Sequence, residues 1–417
     1  PDATAPLLRL VGAADGGAEQ TPEELKDQYS EAVYGVVAGL GQEHRPVVLV
    51  CEDAHWADPS SVELMSGLLD RAPSTAVLLV VVMRPDRNSE GWARLSEARL
   101  LLGESLAEIH LGPLDEQTSR RMIANLLEIE SLPTPLRNMV LDKAEGNPFF
   151  LEEVVRMLIE RDMVEERDGR WFAKPGIDRL DVPATVHGQL ASRIDLLPAD
   201  VRRAGRVASV IGRQFPADLL AAVHPIEDRP DATLHPHIAA LEAQGMIRLA
   251  VTRPSVEFTF RHALIHDVMY EGLLKRERRD LHLAVAQAIE EMYPDRLDDH
   301  APALARHYTE AGDAERAVDH LLTAGRAALS RGARTEAHRF YSQAVGLADA
   351  GSDPAKRTDA VIGKARSGVT FTPGPEAIEM IEAALPIAEE LGDADRLAAL
   401  YVQLLTVRNM QGESYLI

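Results

Sequence analysis

The chain has 417 residues, 46% of them hydrophobic, enough for two to four domains with cores of their own. Its 44 lysines and arginines stand against 66 aspartates and glutamates, a formal charge of -22, which argues against a broad nucleic-acid-binding surface or a basic membrane-docking face. The single cysteine, Cys51, excludes a disulfide framework and cysteine zinc clusters and suits a reducing cytoplasm, and no apolar run reaches the roughly 18 residues of a membrane span.

Near the N-terminus, the loop Val11 to Gly17 (VGAADGG) is glycine-rich but has neither the lysine nor the hydroxyl of a phosphate-cradling GxxxxGK[ST] loop, a pattern found nowhere in the sequence. A helix is predicted from about Pro22 to Leu40. The run Val47 to Cys51 then leads directly into Glu52 and Asp53, as a buried strand covered on both faces would if it delivered carboxylates to a nucleotide-bound metal, in the manner of a Walker B element. The alternative is an ordinary core strand followed by an acidic turn. Asp58 and Pro59 open a helix whose apolar face is Val62, Met65, Leu68 and Leu69. A second strand, Ala76 to Met83, completes a strand-helix-strand crossover of a parallel sheet and brings Arg84 out on the same sheet edge as the acids. A guanidinium there would either pair with a terminal phosphate or close the strand through a salt bridge to a nearby acid.

Ile109 to Leu114 reads as a short third strand and a turn. Helical patterns follow, with Met122, Ile123, Leu126 and Leu127 on one face and Val154, Val155, Leu158 and Ile159 on another, separated by the breaker Gly146-Asn147-Pro148. Further helices are predicted at Ala184 to Leu196, Ala199 to Ile211 and Leu234 to Gln244. The runs Met246 to Val251 and Val256 to Phe260 make a hairpin. His262 and His266 come next. They would cap a helix end, or, at four-residue spacing, bind a metal, although no HExxH glutamate or third ligand accompanies them. The last third is helical: Ala301 to Ala311, Ala314 to Arg331, Thr335 to Ala350, Glu376 to Leu391 and Asp395 to Met410. Ala317, Ala337 and Ala344 against Tyr308, Phe340 and Tyr341 give the small-large interlock of tetratricopeptide helices, with a loosely kept period of about 34 residues.

The segments VVLVCEDAHWADPSSVELMSGLL, VVMRPD, AEGNPFFLEEVVRML and VPATVHGQLASRIDLLP resemble the STAND branch of AAA-type signalling ATPases. More narrowly, they are similar to the ATPase-and-repeat region of bacterial class III soluble-type adenylate/guanylate cyclases and of large LuxR-type regulators. The resemblance implies a mainly α chain with an α/β part: a truncated parallel-sheet P-loop-type ATPase core over residues 1–114, a helical lid over 115–181, a winged helix over 182–275 and α-solenoid, tetratricopeptide-like repeats over 276–417. It implies ATP and Mg²⁺ as ligands, with Glu52 and Asp53 as catalytic and metal-holding acids. Arg84 would read the terminal phosphate, Gly146, Asn147 and Pro148 would close over the adenine, and His262 would face the diphosphate. A protein partner or neighbouring domain would sit on the concave face of the repeats, and neither nucleic acid nor membrane is expected on this region. The missing phosphate loop, and a start at Pro1 rather than Met, lead us to expect half of a nucleotide site and little hydrolysis by these residues alone. The end at Ile417 without a polar capping helix leads us to expect further repeats. Three readings follow: a cyclase-associated nucleotide sensor, the ATPase region of a LuxR-type transcription regulator, or a noncatalytic repeat scaffold.

Overall fold

A computed structural model describes residues 22–42, 46–85, 90–127, 134–167, 170–174, 185–224, 234–253, 255–348, 353–368, 372 and 374–411. The loop Val11 to Gly17 lies outside the described residues. The architecture is mainly helical with small sheets, and it divides into two compact units, Pro1–Glu108 with Asp295–Ile417, and Ile109–Pro294.

The first unit opens with α1 (Pro22–Gln42), β1 (Val47–Cys51), α2 (Pro59–Arg71), β2 (Val77–Val81) and α3 (Glu90–Leu102). β1 and β2 pair in parallel, from Val47 opposite Val77 to Cys51 opposite Val81. The crossover between them is α2. Its first turn is set by Pro59 and by the Asp58 carboxylate, which accepts from the Ser61 amide at 2.9 Å and the Ser61 hydroxyl at 2.7 Å. α1 packs on one side of this pair of strands. The other side is open, so that Val48, Val50 and Leu78 are 59%, 51% and 58% exposed, which corrects the expectation of strands covered on both faces. The physical reason is the alternation of a strand: one helix covers every second side chain, and the intervening ones point the other way. The third strand expected at Ile109 to Leu114 is also absent. Residues 106–115 form no regular element, the described parallel sheet has two strands, and Ile109 and Leu111 are exposed. No described strand pairs with this run, so nothing holds it extended.

The second unit begins with α4 (Glu116–Leu127), α5 (Thr134–Ala144) and α6 (Pro148–Glu160), which share a core built on Ile123, Val140, Phe150, Leu151, Val154 and Leu158. A hairpin of β3 (Val164–Arg167) and β4 (Arg170–Ala173) follows. Next come α7 (Val186–Leu196), α8 (Ala199–Ile211), β5 (Gln214–Pro216), α9 (Ala217–Val223), α10 (His235–Ala243), β6 (Ile247–Val251), β7 (Glu257–Phe260), α11 (Ala263–Glu271) and α12 (Lys275–Met292). The three strands make an antiparallel sheet in the order β5-β7-β6. Helix α8 buries Val201, Ala204, Val207, Ala208 and Ile211, a stripe at three- and four-residue spacing. Met269 of α11 fits against that stripe because Gly205 leaves room for its thioether.

The repeats belong to the first unit: α13 (Leu297–Ala311), α14 (Ala314–Ser330), α15 (Arg334–Leu347), α16 (Pro354–Gly368), α17 (Gly374–Leu391) and α18 (Ala394–Met410). Successive helices pack on one another, and Tyr308, Ala317, Ala337, Phe340, Tyr341 and Ala344 are all buried. The same turn recurs at two places, as GDAER from Gly312 and GDADR from Gly392. In each, the glycine adopts a positive φ, 82° or 66°, and the aspartate caps the next helix by accepting from the amide of Arg316 or Arg396. No helix of the described residues is long and apolar enough to cross a membrane.

Candidate functional site at the β1–β2 edge and the α6–α11 turn

In the first unit the parallel register places Glu52, Asp53 and Arg84 just beyond the C-terminal ends of adjacent strands. Two further hydrogen bonds extend the pairing past the strands, from Val82 N to Cys51 O at 2.8 Å and from Ala54 N to Val82 O at 3.0 Å. The turn that carries the acids is thereby fixed to the segment that carries the arginine. Asp53 has left-handed backbone angles, φ 55° and ψ 32°, and introduces a short 3₁₀ turn, Ala54–Trp56, whose Trp56 N donates to Asp53 O at 2.9 Å. Ala54 is buried and anchors the turn, whereas Glu52 and Asp53 are exposed.

Arg84 is exposed and, among the described residues, forms no ion pair with either acid. Its guanidinium stands over the Trp56 ring, 5.6 Å from the centroid, and its amide reaches His55 Nδ1 at a long 3.4 Å. The His55 ring lies 4.2 Å from that of Trp56. The salt bridge that would have closed the strand is therefore replaced by a cation-π contact, and among the described residues neither carboxylate has an ion-pair partner. Neither His55 nor Trp56 stood out in the sequence, because each lies in a polar turn where periodicity says nothing. Two adjacent carboxylates are few ligands for a cation held by protein alone, and no group of three or more metal-binding side chains occurs among the described residues. They do suit Mg²⁺ delivered with a nucleotide, since that ion takes one or two carboxylates and fills the rest of its shell with phosphate and water.

In the second unit Gly146 has φ 75°, and its carbonyl accepts from Leu114 N at 2.8 Å. A Cβ at this position would collide with the Leu114 backbone, so both the angle and the space require glycine. Asn147 caps α6, its Oδ1 accepting from Phe149 N at 3.0 Å and Phe150 N at 3.4 Å, and Pro148 takes the first helical position. The Phe149 ring then meets the His262 ring at 4.4 Å. His262 occupies the N-cap of α11 yet makes no capping hydrogen bond, so the expectation that it satisfies that helix end is corrected: its ring packs on an aromatic instead. Burial, above all, lowers the His262 pKa below 6.5; Glu152 and Glu153 oppose the shift, and Arg261 and Arg156 reinforce it. The imidazole is thus neutral at pH 7 and keeps one donor and one acceptor nitrogen. His266 bonds Asp267 through Nδ1 at 2.9 Å.

Beside His262 lies an ion cluster that sequence reading missed. Arg193 of α7, 1% exposed in its side chain, pairs with Glu153 of α6, 3% exposed, and with Glu160 at 2.9 and 3.0 Å, and donates to Gln244 O at 2.9 Å. Arg156 joins through Glu153 at 4.0 Å and also pairs with Glu152 at 3.0 Å. Gly245, at φ 65°, lets the Arg156 guanidinium lie close over the turn that follows α10. The available signal was a charge within each apolar stripe: Glu153 lies between Phe150 and Met157, and Arg193 between Leu190 and Leu197.

Comparison with known proteins adds the following. Residues 2–82 match the model of the AAA ATPase domain family. That stretch contains Glu52 and Asp53 and ends two residues before Arg84. Residues 115–171 match a domain of unknown function (DUF8739), which includes the Gly146-Asn147-Pro148 turn. An uncharacterized protein of Rhizobium meliloti (strain 1021) is 28% identical over 344 residues, or 81% of this chain and 32% of the relative, so the chain spans about a third of that protein's length. Among solved structures, a signal transduction ATPase with numerous domains with a tetratricopeptide repeat sensor from Pyrococcus horikoshii is similar over 95% of this chain and 62% of its own, at 10% identity and a TM-score of 0.40.

Proposed function

We propose that this chain is an ATP-responsive regulatory region of a multidomain signalling protein of the STAND type. One wall of its nucleotide site is the β1–β2 edge. The observation that carries this reading is the parallel pairing that sets Glu52-Asp53, inside the segment similar to AAA ATPase domains, beside Arg84, two residues past that segment's end. In this reading Glu52 and Asp53 hold the Mg²⁺ of Mg-ATP, which supplies charge neutralisation at the phosphates, and Arg84 bonds the terminal phosphate through its planar fork. The Trp56 ring keeps the guanidinium near that position without neutralising it. Gly146, Asn147 and Pro148 contribute the adenine contact, and the neutral His262 donates to the diphosphate. Residues 115–181 form the lid and 182–275 a winged helix that reports nucleotide state. The helical repeats receive a protein partner or a neighbouring domain, and the setting is cytoplasmic. A switch of this kind requires ATP and ADP to bind its two arrangements with different free energies.

The lack of a GxxxxGK[ST] sequence supports weak binding and near-background hydrolysis by these residues on their own. The effector favoured here is an adenylate/guanylate cyclase. A LuxR-type DNA-reading module is the alternative, and the charge of -22 is the feature that disfavours DNA contact by this region. The deciding experiment is equilibrium binding of Mg-ATP and Mg-ADP to the wild type and to Asp53→Asn, Arg84→Ala and His262→Ala. We expect a preference for ATP that Arg84→Ala erases, and a Mg²⁺ dependence that Asp53→Asn reduces. Equal behaviour of all four proteins removes the assignment, and vigorous Mg²⁺-dependent hydrolysis by the 417-residue chain overturns the half-site view.

A further inference from the structure

The repeats enclose a cleft of about 400 Å³ between α14, α15 and α16. Its floor is the Tyr341 ring, which is held in a slot made by two glycines: a Cβ on either Gly325 of α14 or Gly363 of α16 would overlap the ring. Three helices thus approach closely enough to hold one buried aromatic ring between them. Leu322, Leu329 and Ile362 supply the apolar wall. Arg326 and Arg366 supply the charge, and both act on the Tyr341 phenol strongly enough to offset part of the upward push that burial gives its pKa.

Among the described residues, neither guanidinium is spent on an acid. Arg326 donates to Thr323 Oγ1 at 3.1 Å within its own helix. Arg366 forms no ion pair among the described residues, and its backbone carbonyl accepts from Arg334 at 3.1 Å. Among the described residues the one carboxylate lining the cleft, Asp359, is already taken by a fork from Arg396, at 2.8 and 2.9 Å. In a chain with 66 acids against 44 bases, both arginines flanking this hydroxyl stand without an acid of their own among the described residues.

We propose that this cleft binds a carboxylate borne on a short aliphatic body, with Arg326 and Arg366 pairing the anion, Tyr341 donating its hydroxyl and Leu322, Leu329 and Ile362 packing the carbon skeleton. The geometry fits a pocket that is mostly apolar with a few convergent polar groups, at a volume typical of small-ligand sites. The free acid of a small molecule and the C-terminal carboxylate of a peptide share this chemistry. The site is independent of the nucleotide reading and shares no residue with it.

The test is isothermal titration of the full chain with sodium N-acetyl-leucinate, with neutral N-acetyl-leucinamide, and with a peptide ending in a leucine with a free carboxylate. We expect the acid to bind about tenfold or more tightly than the amide, the factor set by one charge-assisted hydrogen bond. Arg326→Gln and Arg366→Gln should each remove about that factor, while helical circular dichroism stays unchanged because both side chains are exposed. Tyr341→Phe, which keeps the ring in its glycine slot, should weaken the acid by a few-fold, roughly one neutral hydrogen bond. A peptide that binds more tightly than the free acid supports a chain terminus as the natural ligand, and the reverse order supports a small molecule. Equal binding of acid and amide, binding that survives both arginine substitutions, or no heat from any of the three probes at millimolar concentration overturns the proposal.

Discussion

Glu52, Asp53 and Arg84 at the β1–β2 edge and Glu153, Glu160 and Arg193 between α6 and α7 are the same ingredients, two acids and an arginine, put to opposite uses. In the second set the arginine is sealed from water and every arm of its fork is bonded, which ties the two helices and the turn at Gln244 together. In the first set all three side chains are exposed and unpaired with one another, and the arginine rests on an aromatic face. A buried charge must be bonded inside the protein or it destabilises the fold, whereas an exposed one is solvated until a ligand arrives. The contrast separates charges consumed by architecture from charges left for chemistry.

The sharpest break of this comparison is Arg193→Met. It takes from buried Glu153 its close partner, leaving only Arg156 at 4.0 Å, and is expected to cost about 3–5 kcal/mol, read as loss of hydrogen-exchange protection in α6 and α7. Arg193→Met combined with Glu153→Met should recover much of that loss, since both buried charges leave together. If the single variant were as stable as the wild type, the cluster would not be holding the two helices. Asp58→Ala, which removes a helix cap beside the candidate site rather than a charge pair, should cost about 1 kcal/mol in urea denaturation. Acidification comes next. His262 has a depressed pKa in the folded state, owing first to burial, so its contribution is intact above the unfolded value of 6.5 and is lost as the pH falls through the folded value. His224, His300 and His338 are shifted in the same direction. The midpoint of thermal unfolding should therefore drop between pH 7.5 and 5.5, and drop less in His262→Phe; an identical pH profile for that variant would contradict the burial argument. Smallest of all, Arg84→Ala should move stability by no more than about 0.5 kcal/mol while altering nucleotide binding, since its partner is a half-exposed ring.

Much of the mainly α fold with its α/β part was legible wherever apolar residues kept a period. The pattern locates β1, α2, β2, α7, α8, the β6–β7 hairpin and most repeat helices to within a few residues. It misses α3 and α16, whose sequences EGWARLSEARLLL and PAKRTDAVIGKARSG carry scattered charge and small residues rather than a bulky stripe. It also misses β5, a strand of three residues that exists because β7 offers it an edge. The nearness of the acids to Arg84 follows from one local rule, the parallel crossover, and so can be read from the sequence. The meeting of Phe149 with His262, and of Arg193 with Glu153, depends on how helices far apart in the chain pack together, and no local pattern encodes that. The GDAER and GDADR turns are a mark of internal repetition that the sequence itself carries.

The left-handed backbone of Asp53 governs how the acidic edge can be probed. Asparagine and aspartate visit that conformation far more readily than alanine or any branched residue, and glycine does so freely. Asp53→Asn therefore changes charge with shape retained, and Asp53→Gly removes the carboxylate while relaxing the main chain. An alanine or valine scan would tilt the loop and shift Trp56 with it, and a loss of ligand affinity so obtained would report on a bent peptide rather than on a missing negative charge.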